Sequence, residues 1–140
     1  MENTDVKFTV ITGFILLITF TAIAEIDIYI DGSYEGRIED DGDIYIDGSY
    51  RGRIESDGDV CVDGSYSGRI EDDGDIYVNG SYYGRVEYDG DIYIDGSYKG
   101  RIEDDGDIYI DGSYFGRGDD MPFGGAPLIA GYLIFFGGYL

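Results

Sequence analysis

From residue 27 the chain repeats itself every 16 residues, with copies opening at Asp27, Asp43, Asp59, Asp75, Asp91 and Asp107. A unit this short cannot bury an apolar face by itself, so the fold must pair or stack each copy with its neighbours. The first copy reads DIYIDGSYEGRIEDDG; five copies are complete, and the sixth departs from the pattern after Arg117. Gly-Ser-Tyr (Gly32-Ser33-Tyr34) and the following Gly36-Arg37 stand in every copy. One position changes freely: it is Glu35, Arg51, Ser67, Tyr83, Lys99 and Phe115 in turn. A site that takes both charges, a small residue and two aromatics is expected to face solvent.

Each copy reads as a β-hairpin. Asp-Gly or Asn-Gly recurs at Asp31-Gly32 and at Asp41-Gly42 and their equivalents, between β-branched and aromatic runs. A two-residue turn at Asp31-Gly32 would pair Ile28 with Glu35 and mix apolar with charged residues on one face. A three-residue loop, Asp31 to Ser33, instead pairs Ile30 with Tyr34 and Ile28 with Gly36. It places Ile28, Ile30, Tyr34 and Ile38 on one face, and Asp27 opposite Arg37 on the other. The face argument therefore favours three residues. At the second turn, Asp40-Asp41-Gly42 puts Gly last, where a left-handed residue is expected.

Such units can form a β-solenoid or a ring. A solenoid would ladder equivalent Asp residues about 4.8 Å apart, where adjacent charges repel by about 1 kcal/mol even at the dielectric of water. It would also confine the Tyr34 row in a narrow coil. A meander of hairpins roughly doubles the spacing, near the Debye length, and closing it removes the exposed edges. The expected fold is all-β: six tandem hairpins closed into a ring or shallow barrel over residues 25–120. The run Gly-Ser-Tyr-x-Gly-Arg-Ile, at Gly32 to Ile38, Gly48 to Ile54, Gly64 to Ile70 and Gly96 to Ile102, resembles that of the bacterial β-flower proteins. This resemblance implies a ring of hairpin petals with an apolar C-terminal tail and supplies no activity. Asp59-Val60-Cys61-Val62-Asp63-Gly64 is similar to the rhythm of bactofilins, which implies the alternative of a filament-forming solenoid.

Both ends are apolar. Residues 8–24 form an uncharged stretch ending in Ala22-Ile23-Ala24, which suits a signal peptide cleaved after Ala24. The alternative is an uncleaved N-terminal anchor, and the corresponding locations are secreted or cell-envelope against membrane-anchored. Residues 121–140 carry no charge except at the terminus, and their centre reads LIAGYLIFF. A barrel of about 8 strands is filled by its own side chains, so 12 strands leave a hole. The tail is expected to plug it, helical or extended. The competing expectation is membrane association through 121–140, weakened by its five Gly and two Pro.

The chemistry-bearing signals are sparse. With 30 acidic and 9 basic residues the charge is -21, which opposes nucleic-acid binding. There is no His, and Cys61 is alone, so Ser-His and Cys-His pairs and disulfides within the chain are excluded. The acidic turns could bind calcium weakly, but Gly42 at the sixth position of an EF-hand loop would put Arg37 first and Gly48 last, where carboxylates belong. No cofactor is indicated. The carboxylates repeat in exposed turns, where nothing raises a pKa for acid-base work, so no enzyme activity is expected. Tyr29, Tyr45, Tyr77, Tyr93 and Tyr109, with Tyr83 and Phe115, are candidate surface-binding residues; alternatively the first five pack on Arg stems and shield the sheet. Arg117-Gly118-Asp119 spells an adhesion tripeptide but fits decay of the last repeat, and Asn79 of the sequon Asn79-Gly80-Ser81 stands in a turn slot.

These observations point to a non-enzymatic structural or binding module of the envelope or secreted space, presenting a repetitive acidic, Tyr-rich surface to an unknown partner. The alternatives are a membrane-active protein using its C-terminal segment and a filament-forming solenoid. Sequencing the N-terminus of the native protein is expected to give Glu25; finding the original Met1 would select the anchor instead.

Overall fold

The structure, a computed structural model, describes residues 25–140. The signal or anchor expected over residues 8–24 lies outside the described residues. Twelve strands run in sequence: β1 (Ile26–Ile30), β2 (Ser33–Ile38), β3 (Asp43–Ile46), β4 (Ser49–Ile54), β5 (Asp59–Val62), β6 (Ser65–Ile70), β7 (Asp75–Val78), β8 (Ser81–Val86), β9 (Asp91–Ile94), β10 (Ser97–Ile102), β11 (Asp107–Ile110) and β12 (Ser113–Asp119). A short helix α1 (Ala126–Gly131) and a π-helical segment (Tyr132–Gly137) follow. Every strand pairs antiparallel with its sequence neighbours, and β1 pairs with β12, so the sheet is a closed barrel. A solenoid would stack successive coils in parallel, so this topology is the expected ring. At the seam Ile28 faces Gly118 and Tyr29 faces Arg117, the register in which Ile44 faces Ile38 and Tyr45 faces Arg37. No edge is left open.

The first turn differs from the expected three-residue loop. Asp31 (φ 50°) and Gly32 (φ 77°) are both left-handed, as a two-residue type I′ turn requires. Ile30 therefore faces Ser33, and Tyr29 faces Tyr34. The pairing then slips by one residue, so that Ile28 faces Gly36 and Asp27 faces Arg37. Glu35 is the extra residue of a β-bulge. The bulge reconciles the tight turn with the face requirement: it absorbs the residue that would otherwise have set Glu35 against Ile28. Its consequence is that Tyr34, expected inside, is outside and 47% exposed. The same slip recurs in the other five hairpins.

The second turn has the expected form. Gly42 (φ 93°) closes the loop Asp40-Asp41-Gly42, donating its N–H to the Glu39 carbonyl at 2.9 Å. Asp41 Oδ1 accepts the Asp43 N–H at 3.1 Å. A Cβ on Gly42 would lie 2.0 Å from the Ile54 carbonyl oxygen of the next hairpin. Both backbone angle and space demand glycine there.

Inside, Ile28, Ile44, Val60, Ile76, Ile92 and Ile108 form a complete ring with no exposed surface. Toward the turn-loop end lies a second ring of Ile38, Ile54, Ile70, Val86 and Ile102, all buried. Its sixth place is Gly118. A Cβ there would lie 2.4 Å from Ile129 Cδ1 of α1, so the departure of the last repeat from the pattern is a socket for the tail.

The tail threads the bore. After β12 the chain reverses through Asp120 (φ 62°) and a turn in which Gly125 N–H donates to the Pro122 carbonyl at 2.9 Å. Helix α1 has no side-chain cap; at 6 residues it owes its stability to the barrel rather than to propensity. Gly131 lets it approach the wall, since a Cβ there would meet Ile70 Cδ1 at 2.6 Å. Ile129, Ala130, Tyr132 and Leu133 have no exposed surface. Further along, the aromatics enter places left by the inward glycines. A Cβ would lie 2.7 Å from the Tyr132 hydroxyl at Gly36, 2.8 Å from Phe136 at Gly52, and 2.6 Å from Phe135 at Gly68. The plug expected from strand number is thus built, and its helical form is the one observed.

Restoring the repeat residue with Gly118→Ile is expected to lower stability by about 1–3 kcal/mol through overpacking. Ile129→Ala is expected to lose about 2–5 kcal/mol through the cavity it leaves. Combining them refills that space, so urea denaturation of the double variant is expected to show a loss smaller than the sum.

Candidate functional site

The outer wall repeats one arrangement. Toward the hairpin tips, Tyr29 meets Tyr34 edge to face with ring centroids 5.5 Å apart. Tyr45–Tyr50, Tyr77–Tyr82, Tyr93–Tyr98 and Tyr109–Tyr114 repeat the contact at 5.6–5.7 Å. In the third hairpin Cys61, a free thiol, stands opposite Tyr66 instead. The candidate row Tyr29, Tyr45, Tyr77, Tyr93 and Tyr109 is therefore half-buried beneath a second row. Tyr34, Tyr50, Tyr66, Tyr82, Tyr98 and Tyr114 are the more exposed, at 47–55%. The three-residue loop expected from the face pattern places this second row inside; the two-residue preference of Asp-Gly is the sequence signal that places it outside.

Below the tyrosines runs a belt of guanidinium–carboxylate pairs. Arg53 holds Asp43, Arg101 holds Asp91, and Arg117 holds Asp107, each at 2.6 Å. Arg85 holds Asp75 at 3.2 Å, and Arg69 pairs with Asp59. In the first hairpin Arg37 pairs instead with Glu39 and, at 3.4 Å, with Glu25. The Arg37 guanidinium carbon also lies over the Tyr45 ring, 4.4 Å from its centroid, a cation–π contact. Hydrogen bonds that Arg37 donates to Glu39, Arg53 to Asp43 and Arg69 to Asp59 hold these guanidinium groups above their ordinary pKa. Pairs this exposed contribute little stability individually. Arg117 and Asp119 of the adhesion-like tripeptide also pair with each other, within strand β12.

The freely varying position faces solvent only in part. As the bulge residue it sits at the mouth of the barrel on the hairpin-tip side, half-buried. Glu35 accepts a hydrogen bond from the Tyr132 hydroxyl at 3.0 Å and another from Tyr139. Phe115 meets Tyr139 edge to face, with centroids 5.0 Å apart. Tyr83 packs against the core and lines a cavity of about 470 Å³ with Lys99, Ile94, Tyr139 and Leu140. The structure thus separates Tyr83 and Phe115 from the outward tyrosines: they contact the tail. Other copies do not engage the tail in this way: Arg51 donates to Asp63 at 3.5 Å on the exposed side, and the Ser67 hydroxyl donates to the Ser65 carbonyl at 3.2 Å.

Burial and the neighbouring Glu35 carboxylate raise the Tyr132 hydroxyl's pKa; the hydrogen bond to Glu35 pushes Tyr139 up to about 12. At the turns, one Asp41 oxygen is engaged by the backbone, and equivalent bonds recur at Asp57, Asp73, Asp89 and Asp105. Among the described residues, no group of three or more His, Cys, Asp or Glu is arranged to hold a metal ion.

Because the folded state keeps the Tyr139 proton up to about 12, against 10.0 ordinarily, its contribution is complete below pH 10 and lost as pH rises through about 12. Denaturant midpoints are expected to fall over that window, and Tyr139→Phe is expected to make the fall shallower while lowering the midpoint at pH 7.

No protein-family model matches the chain, and no curated protein or solved structure matches it.

Proposed function

We propose that the protein is a non-enzymatic structural or binding module of the cell envelope or secreted space. The observation that carries this reading is the outer wall, where an edge-to-face tyrosine pair recurs in five hairpins, above a belt of guanidinium–carboxylate pairs. Identical shallow contacts on one rigid ring favour multivalent binding, in which each weak contact raises the effective concentration of the next. Aromatic faces beside carboxylates and guanidinium groups suit a repetitive polar partner such as a surface polysaccharide. The closed ring supports the resemblance to the β-flower proteins, and Ala22-Ile23-Ala24 supports export.

A membrane-active role would require Ile129, Ala130, Tyr132 and Leu133 to leave the bore, where they have no exposed surface. That would open the whole apolar interior to water, at about 25 cal/mol for each Å² exposed. No helix among the described residues is long and apolar enough to cross a membrane. The outward residues of the wall are Asp, Tyr, Arg and Glu, whereas a lipid-facing strand alternates apolar outward.

The reading is tested by co-sedimentation of the purified protein with isolated envelopes of its source cells. The triple variant Tyr34→Ser/Tyr66→Ser/Tyr98→Ser is expected to lose at least about tenfold in binding. The two lost ring pairs cost about 0.5–1.5 kcal/mol each, so circular dichroism is expected to report an intact barrel. Equal sedimentation of variant and parent, or none of either, contradicts the proposal.

A further inference from the structure

We propose that the cavity at the turn-loop end of the barrel binds a small organic cation with an aromatic or aliphatic body. The cavity has a volume of about 410 Å³, within the range of about 300–1,000 Å³ usual for small-molecule sites. It lies between the loops of the third, fourth and fifth hairpins and the segment by which the chain turns back into the bore. Its apolar lining comes from Met121, Ala126 and Pro127, with the buried Val86 and Ile102 beneath.

Two aromatic residues single it out. Tyr88 occupies a loop slot that is Asp40, Ser56, Asp72 and Asp104 in the other complete repeats. Phe123 belongs to the reversing segment, outside the repeat altogether. Both line this one cavity, and they are 101% and 94% exposed, the most exposed large apolar residues of the barrel and tail. Neither is packed into the core, so folding does not account for them. Two exposed aromatics on the rim of one hollow are a feature of recognition sites.

The charge of the rim selects the ligand class. Asp72, Asp73, Glu87, Asp89 and Asp104 line the same cavity, with Arg101 the one basic group among its lining residues. Arg101 is itself engaged by Asp91 at 2.6 Å and Glu103 at 3.3 Å on the outer wall. An anion would be repelled, and a neutral ligand would gain only the apolar contact. A cation gains both the carboxylate field and the negative faces of Tyr88 and Phe123. The site is on a different face from the tyrosine rows, and the inference stands without the envelope-binding reading.

Isothermal titration of the full chain with phenethylammonium chloride, 2-phenylethanol and sodium phenylacetate separates charge from shape. Phenethylammonium is expected to bind saturably and about tenfold more tightly than the alcohol, with no binding of phenylacetate. Tyr88→Ser/Phe123→Ser is expected to weaken phenethylammonium by about tenfold or more with an unchanged thermal midpoint, because both side chains are exposed. The proposal is overturned if the variant binds as the parent does, if the alcohol binds as tightly as the cation, or if phenethylammonium fails to saturate. Displacement by calcium chloride at equal concentration would likewise overturn it, marking the rim as a site for inorganic cations.

Discussion

Closing six hairpins into one barrel leaves a bore wider than the wall's own side chains can fill, and the remaining structure answers that constraint. A wall of about 8 strands fills itself; this one has 12. The aliphatic rings at Ile28 and Ile38 and their equivalents line the bore without closing it. The C-terminal segment supplies the missing volume: Ile129 enters the place vacated at Gly118, and Tyr132, Phe135 and Phe136 enter those at Gly36, Gly68 and Gly52. Inward glycine here is unfilled wall volume, matched to aromatic rings on the plug. Interiors pack at crystal-like density, so wall and tail specify each other.

The pairing of a repetitive wall with a single tail creates a symmetry conflict, and the bulge position resolves it. The positions at the two turns and along the strands barely change because each copy makes the same hydrogen bonds. The extra residue at the barrel mouth is free of that demand. Copy by copy it is Glu35 beneath two tyrosine hydroxyls, Tyr83 against the core, or Phe115 against Tyr139. The bulge therefore does two things. It keeps the tight Asp31-Gly32 turn compatible with an apolar inner face, and it sets an adjustable side chain at the barrel mouth, which in the first and last hairpins meets the plug.

Much of this was legible in the sequence. The period, the hairpin unit, the ring topology, the Asp40-Asp41-Gly42 loop and the plugging tail follow from turn chemistry, charge spacing and strand count. The first turn departs from the face-based expectation because Ile28 does meet Gly36, but through a bulge at Glu35, a position with no fixed residue type. The bulge turns Tyr34 to the outer side of the wall and so creates the more exposed tyrosine row. Variability at the bulge position has two sources, solvent at Arg51 and the asymmetric tail at Glu35 and Phe115, and a single sequence does not separate them. Gly118 looked like decay because the residue that fills its space, Ile129, comes later in the chain and has no repeat register to announce it.

The acidic surplus belongs to turns and outer wall, where water and the Arg belt accommodate it, and this leaves the bore free to be wholly apolar. The claim on which the account rests is that wall and tail form one cooperative unit. Amide hydrogen exchange under native conditions measures this residue by residue. The account predicts that the amides of Ala130, Gly131, Tyr132 and Leu133 open with the same free energy as those of Ile44 and Ile92, near the global value. Exchange of the tail amides at rates approaching those of unprotected chain, with the strands still protected, would show that the barrel stands without its plug and would contradict it.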